Sequence, residues 1–348
     1  MIEVGNRLIG KGAPCFIAAE IGINHNGDMD LACKMIDAAK EAGADAIKFQ
    51  NYKTEDFVLN KELTYDYISG GKKVTETQFE MFKRYELTRE QLKFLKEYSD
   101  KAGLIFFSTP TGEDGIQDLL DVGCALFKNG SDYLVNLELI QAFARTGKPL
   151  IISTGMSVLG EIDDAVRAFE EAGGKELLIL HCTSQYPTPP LDVHLNKITT
   201  LKNTFPYPIG FSDHSDGIVA AVGSVALGAV FIEKHYTLDK NLPGPDHRFS
   251  MDPKELKELV TAVRAIEQNM GSPVIGPTAS EAKGRRDYRL SCIVNKDVPA
   301  GHQLTESDII FSRPATGLPP KFKSQLVGRK LVKALKVGQV VTLDSLNG

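Results

Sequence analysis

Short, continuous apolar runs alternate along most of the chain with stretches of helical periodicity. The first run, at 15–21, carries the carboxylate of Glu20 near its end; a polar turn at 22–28 follows, then a helical pattern at 30–42 closed by Gly43. Further apolar runs stand at 46–50, 104–107, 124–127, 149–152, 176–180, 208–211 and 229–233. Helices are predicted at 88–102, 113–122, 137–146, 159–172, 195–204, 218–227 and 253–269. Unbroken apolar runs are what strands buried on both faces require, as in a parallel sheet covered by helices. Eight strand–helix units within about 250 residues predict an α/β fold of the TIM (β/α)8 barrel type. An open doubly wound sheet would carry a glycine-rich dinucleotide turn after its first strand, and none is present.

Two stretches break the pattern. Residues 51–84 are polar, with Gly70-Gly71-Lys72-Lys73 in their middle, and are expected to form a lid or an insert without regular structure. Beyond residue 270 the composition turns to Gly, Pro, Ser and Lys/Arg, and then to short β-type runs at 291–294, 328–332 and 340–343. The expected organisation is a barrel at 1–270, a linker at 271–289 and a small β-rich domain at 290–348. That last domain is marginal alone and needs a larger surface to dock on.

Charge and cysteines narrow the class. Lys and Arg number 40 against 45 Asp and Glu, a formal charge of -5, so no global basic field invites nucleic acid or an anionic membrane. The five cysteines are scattered and form no CxxC pair, which fits buried free thiols in a reducing compartment. The N-terminus has neither a secretory apolar region nor a basic amphipathic pattern, and no apolar stretch is long enough to span a membrane. The cytoplasm is the expected location.

Catalytic groups of such barrels sit at the C-terminal ends of strands. Those positions hold Glu20, Lys48, Gln50, Ser108, Thr109, Lys128, Ser131, Ser153, Thr154, His181, Thr183, Ser212, His214, Glu233 and His235. Lys48 and Lys128 with nearby hydroxyls suit a small phosphorylated or carboxylated anion. His214 and His235 suit a borderline divalent ion completed by oxygen ligands, and Glu20 and Glu233 are candidates for proton transfer or support. The bland alternatives are a Lys48–Glu20 salt bridge, a rim charge at Lys128 and two ordinary rim histidines. His25 is expected in a turn or substrate loop; Asp246 and His247 are divided between turn structure and substrate contact. No GxxxxGK[ST], HExxH or GxSxG motif redirects the reading.

Taken in order, the segments 19–27 (AEIGINHNG), 47–50 (IKFQ), 107–110 (FSTP), 147–157 (GKPLIISTGMS), 181–187 (HCTSQYP), 211–214 (FSDH) and 233–247 (EKH through GPDH) resemble the sialic acid synthase family. That family comprises N-acetylneuraminate synthase and the legionaminic and pseudaminic acid synthases, and the match covers nearly the whole chain. The resemblance implies a TIM barrel joined to a C-terminal SAF (antifreeze-like) domain, and a homodimer in which that domain caps the partner's barrel. It implies a phosphoenolpyruvate-dependent transferase of carbohydrate biosynthesis, condensing phosphoenolpyruvate with N-acetylmannosamine and water by C–O cleavage. The alternative is a legionaminic or pseudaminic acid synthase using a 2,4-diacetamido-trideoxy hexose.

Carried residue by residue, the resemblance places phosphoenolpyruvate on Lys48, Thr109, Lys128, Ser153 and Ser212. The amino sugar falls to Gln50, Asp132, Tyr186 and Asp246, with Arg313 of the partner subunit. A manganese or magnesium ion falls to His214 and His235, and catalysis to Glu20, Lys48, Lys128 and Glu233. The chain departs from the family pattern at Thr111-Gly112, at Asn129 and Asp132, and at Ser184-Gln185-Tyr186, all on the sugar half. Two competing functions are a lysine Schiff-base aldolase, with Lys48 or Lys128 as nucleophile, and a non-catalytic carbohydrate-binding protein.

Overall fold

The computed structural model describes residues 1–346; Asn347 and Gly348, the end of the expected C-terminal domain, lie outside the described residues. Eight parallel strands close a barrel: β1 (Phe16–Gly22), β2 (Ala46–Asn51), β3 (Ile105–Pro110), β4 (Phe127–Asn129), β5 (Leu150–Ser153), β6 (Leu177–Cys182), β7 (Ile209–Asp213) and β8 (Phe231–His235). Each pairs with its neighbours in sequence, and β8 returns to β1 in a register running from Phe231 opposite Phe16 to His235 opposite Glu20. The predicted TIM-type barrel is therefore the observed fold. The strand expected at 124–127 starts later, at Phe127, because residues 124–126 run beside the sheet without joining its ladder.

The helices begin and end where their caps dictate. Asp28 accepts from the N–H groups of Asp30 and Leu31 at the start of Met29–Ala42, and Gly43 closes it at φ 94°, a left-handed conformation that glycine tolerates best. Thr88 and Gln91 form a reciprocal capping box on Arg89–Ala102, as do Asp252 and Glu255 on Pro253–Met270. Inside and outside the barrel, Phe106, Phe127, Phe143, Phe169 and Phe231 are completely or almost completely buried. Each such side chain contributes about 1.5–3 kcal/mol relative to exposure.

The excursion between β2 and the next barrel helix is not irregular. It holds an antiparallel hairpin, Thr64–Ser69 with Lys72–Thr77, and a helix, Gln78–Arg84, capped by Thr77. Gly70 and Gly71 turn the hairpin at φ 53° and 77°, both positive, as a two-residue turn of this hand requires. Its strands are largely solvated on both faces, so no apolar alternation announces them; the Gly-Gly pair was the available signal.

Residues from Ser272 on form a second compact unit. It has its own core of Cys292, Val294, Val298, Leu304, Ile309, Leu326, Leu331, Leu335 and Val341. Strands Ser291–Val294 and Ile309–Ser312 pair antiparallel, whereas the runs expected at 328–332 and 340–343 contribute only single bridges, such as Gln303 with Lys330 and Ile293 with Val340. Short helical turns, Ala279–Glu281 and Ala282–Asp287, occupy the stretch expected as linker. Among the described residues no helix is long and apolar enough to cross a membrane.

At the N-terminal face of the barrel, the last barrel helix ties β1 to β2. Arg264 donates to the Cys15 carbonyl (2.7 Å) and to Asp45 (3.2 Å), while Asp45 accepts from the Ile17 N–H (2.9 Å) and Glu267 accepts from the Cys15 N–H. Replacing Arg264 takes the side-chain donor from the Cys15 carbonyl and one of the partners from Asp45, which keeps the Ile17 N–H and Arg7. Arg264→Met is expected to lower unfolding free energy by about 1–3 kcal/mol, measured by denaturant melts; an unchanged midpoint would show that the clamp is idle.

Candidate active site

A cavity of about 380 Å³ opens at the C-terminal ends of the strands, a volume suited to a small ligand. Consecutive side chains on a strand point to opposite faces, and this rule selects who enters. Glu20 on β1, Lys48 and Gln50 on β2, Thr109 on β3, Lys128 on β4, Ser153 on β5, Ser212 on β7, and Glu233 and His235 on β8 all line the cavity. Loop residues Asp132, Tyr186, His214 and Asp246 join them. Every barrel residue put forward for substrate, metal or catalysis thus meets in one place; Arg313 belongs to the second compact unit.

Ser131 lines the cavity as well, whereas the remaining rim positions do not. Ser108 is fully buried on the opposite face of β3, and Thr154 spends its hydroxyl on the Leu180 carbonyl. His181 Nε2 lies 2.6 Å from the Val193 carbonyl and its ring stacks on Phe211, so it is a packed core histidine. Thr183 donates its hydroxyl to the Asp192 carbonyl. His247 pairs with Thr237 Oγ1 (2.6 Å) and Asn26 (3.3 Å), contacts that serve turn structure, and it does not line the cavity. His25 likewise accepts from the Gly27 N–H (3.0 Å) inside its own turn.

The charged floor is tightly coupled. Lys48 Nζ lies 2.8 Å from Glu20 Oε1 and 3.7 Å from Glu233 Oε2, so the salt bridge with Glu20 exists inside the cavity rather than instead of it. Gln50 donates to Glu20 (3.3 Å), Ser212 donates to Glu233 (3.0 Å), and Lys128 donates to Ser153 Oγ (2.6 Å) and the Asn129 carbonyl (3.0 Å). Burial raises the pKa of Glu20, Glu233 adds to the rise, and Lys48 only partly offsets it. Burial pushes Glu233 the same way, but Lys128 and Lys48 outweigh it and hold Glu233 below the ordinary range. Two carboxylates pushed apart in this way can divide acid–base work, one taking up and giving back a proton and one staying charged. Burial lowers Lys128, whereas Lys48 is held above its usual value because Glu20 and Glu233 outweigh burial. Burial also pushes Asp246 up to about 7.

The two imidazoles come together. Their ring centroids are 5.5 Å apart, with Tyr186 packed at 4.1 Å from His214 and 5.7 Å from His235. His214 Nδ1 lies 2.9 Å from the Thr183 carbonyl, so that nitrogen is the donor and Nε2 is left for a ligand. Burial, then the neighbouring His214, lowers the pKa of His235 well below its ordinary value and keeps it neutral; its buried Nδ1 has no hydrogen-bond partner. Oε2 of Glu20 and of Glu233 are equally unpartnered. Among the described residues no group of three or more acidic, Cys or His side chains is arranged as a ready-made metal cage. The donor set fits a divalent ion held by two imidazoles and completed by oxygens from solvent or substrate.

Several lining residues were not foreseen. Tyr52, Phe57, Tyr65, Gln78, Met81 and Phe82 come from the 51–84 excursion, whose packed cluster of Ile23, Tyr52, Met81 and Tyr85 sets them against the cavity. Cys182, taken as one more buried thiol, ends β6 at an inward position, 3.9 Å from His214 Nδ1. Burial would raise its pKa, but His214, Ser131 and Lys128 together lower it. Its place in the strand alternation was the signal.

Paired lysines, paired carboxylates and two converging histidines at the strand ends of one barrel suit chemistry on a small phosphorylated or carboxylated anion. The NeuB family model matches residues 35–274 and the SAF domain model residues 291–347, and the chain belongs to the NeuB family. It is 40% identical to the N,N'-diacetyllegionaminic acid synthase of Legionella pneumophila over 97% of this chain and 96% of that one. It is 35% identical to the N-acetylneuraminate-9-phosphate synthase of Mus musculus, with 98% and 95% covered. Among solved structures it resembles the N-acetylneuraminic acid (sialic acid) synthetase of Leptospira borgpetersenii in complex with citrate, at TM-score 0.74 and 39% identity, covering 81% of this chain and 94% of that one. The protein is an enzyme of the phosphoenolpyruvate-dependent, carbon–carbon bond-forming synthase class. Enzymes of this family generally use a divalent metal.

One backbone position lies hard against Glu20 and Gln50. The β1–β2 register shifts between Glu20 and Gly22, and Gly22 takes φ 55°. A Cβ there would stand 3.1 Å from Glu20 Oε1 and 3.3 Å from Gln50 Nε2. Gly22→Ala is expected to displace both groups and lower kcat about 10- to 100-fold with the barrel still folded by circular dichroism. Unchanged kcat would show that the bulge does not position Glu20.

Proposed function

We propose that the enzyme condenses phosphoenolpyruvate with a 2,4-diacetamido-trideoxy hexose and water, giving a nine-carbon 2-keto acid of the legionaminic or pseudaminic type and inorganic phosphate. The observation that carries the choice of sugar is the aromatic and thioether wall of Tyr52, Phe57, Met81 and Phe82 beside the polar floor. Such a wall suits a deoxygenated carbon and acetamido methyl groups better than a row of hydroxyls. The higher identity to the legionaminic acid synthase than to the neuraminate-9-phosphate synthase supports the same reading. N-Acetylmannosamine is the competing substrate.

In this reading Lys48 and Lys128, with Thr109, Ser153 and Ser212, hold the carboxylate and phosphate of phosphoenolpyruvate by charge-assisted hydrogen bonds. Gln50, Asp132, Tyr186 and Asp246 orient the open-chain sugar, together with Arg313 of the partner subunit. A manganese or magnesium ion on His214 and His235 would supply Lewis-acid polarisation of the aldehyde oxygen. The methylene carbon of phosphoenolpyruvate attacks the aldehyde carbon, forming the new carbon–carbon bond and an oxocarbenium centre at C2. Glu20, made more basic by burial, takes a proton from the water that adds there; one proton from that water ends on the former aldehyde oxygen, the C2 hydroxyl gives up the other as it becomes the keto group, and hydrogen phosphate leaves with its bridging oxygen. Glu233 stays ionised and balances the two lysines. Lys48, with its pKa held up, is a poor Schiff-base nucleophile. A homodimer is the expected form: Met156, Val158, Leu191 and Val219 are exposed on the segments that follow β5, β6 and β7, apolar surface suited to covering by a second copy.

The test is phosphate release from phosphoenolpyruvate with manganese, run in parallel with N-acetylmannosamine and with 2,4-diacetamido-trideoxy hexoses, products weighed by mass spectrometry. Preference for a diacetamido sugar is expected; preference for N-acetylmannosamine would overturn the sugar assignment, and no phosphate release with either would overturn the reaction. His214→Gln is expected to reduce turnover about 100-fold or more while melting like the parent, and chelation is expected to abolish turnover until manganese is restored. Wild-type turnover in the variant at saturating metal would sink the metal assignment.

A further inference from the structure

Directly behind the two imidazoles lies a buried ion pair that the chemistry above does not use. Asp213 on β7 and Lys234 on β8 are register partners, one step along from the Ser212–Glu233 pair. The alternation that turns Ser212 and Glu233 toward the cavity turns Asp213 and Lys234 away from it, and their side chains are 0% and 4% exposed. Lys234 Nζ donates to Asp213 Oδ2 (2.7 Å) and to the Ser215 carbonyl (2.6 Å). Asp213 Oδ1 in turn accepts from the Ser215 N–H (2.9 Å) and from its hydroxyl (2.7 Å).

The clasp grips the chain on both sides of His214 and is anchored on the residue before His235. From the other side the Thr188 N–H donates to the His214 carbonyl (2.9 Å), and the Thr183 carbonyl accepts from its ring. His214 is therefore fixed at its backbone by Asp213, Ser215 and Thr188 and at its ring by Thr183. Two full charges withdrawn from water are not needed to hold β7 and β8 together, because well-packed apolar residues of similar volume are often as stable or more so. Neither residue lines the cavity.

We propose that Asp213 and Lys234 are positioning residues: their clasp fixes the backbone on which His214 and His235 stand, and so sets how the two ring nitrogens converge on a divalent cation. The proposal rests on the reading of these histidines as the metal-holding pair. It concerns the chain's own geometry and is tested without turnover.

The experiment uses the full-length protein without substrates and compares wild type with the double variant Asp213→Leu/Lys234→Met, which removes both charges at once, and with Ser215→Ala, which removes only the hydroxyl leg of the clasp. The double variant leaves the Ser215 N–H, hydroxyl and carbonyl without these partners, so it is expected to stay folded but melt below the wild type, and to bind Mn2+ about 10- to 100-fold more weakly by calorimetry. Ser215→Ala is expected to lose roughly three- to ten-fold. Wild-type Mn2+ affinity in the folded double variant overturns the proposal, and if that variant does not fold, unchanged affinity in Ser215→Ala overturns it. Imidazole nitrogen NMR on the metal-free protein is the second readout: the His214 Nδ1–H signal is expected to be sharp in wild type and broadened or lost in the double variant. Unchanged imidazole signals in the folded double variant overturn the positioning role. A wild-type protein that binds no Mn2+ removes the metal reading instead, and the NMR comparison then decides the clasp by itself.

Discussion

A strand in a closed parallel barrel sends consecutive side chains to opposite faces, and the chemistry of this protein hangs on that constraint. On β8 it turns Glu233 and His235 into the cavity and sends Lys234 out; on β7 it turns Ser212 in and Asp213 out. Register carries the pattern sideways, setting Ser212 beside Glu233 and Asp213 beside Lys234. A one-residue slip of both strands together would exchange the two sets, leaving a hydroxyl and a carboxylate in the core and a salt bridge in the substrate's place. The ladder is thus a selector of chemistry as well as a source of cohesion.

Within the cavity, one residue type is given two behaviours by its neighbours. Glu20 and Glu233 both touch Lys48, but only Glu233 also feels Lys128 strongly and accepts from Ser212. Burial therefore wins at Glu20 and charge wins at Glu233. The lysines divide similarly, Lys48 between two carboxylates and Lys128 against a serine hydroxyl. A floor of this kind can receive an anion of two or three charges without reorganising, because its positive groups are already held in place.

Much of this was legible in the sequence because barrel strands buried on both faces leave unbroken apolar runs, and polar residues at their ends stand out against them. Lys48 inside an apolar run and the two histidine-terminated segments at 211–214 and 231–235 were visible for that reason. Alternation within each strand end was less legible: Ser108 and Thr109, or His181 and Cys182, look equivalent until the register is known, and in each pair only the second faces the cavity. The hairpin at 64–77 was hidden because a solvated ribbon buries too little to need an apolar pattern. His247, in a loop rich in turn formers, could be placed only once its partners Thr237 and Asn26 were seen.

That ribbon and the helix after it have a consequence for how such an enzyme changes over time. The aromatic wall of the cavity comes from one contiguous excursion inserted after β2, while the charged floor is spread over strands around the whole barrel. The two halves of the cavity are therefore encoded differently, one in a single replaceable cassette and the other in positions scattered from Glu20 to His235. Substitutions, insertions or exchange confined to residues 52–86 can reshape what the wall admits while the barrel's hydrogen-bond ladder and the anion floor stay as they are. A lineage can thus reshape one wall of its cavity without rebuilding the charged floor.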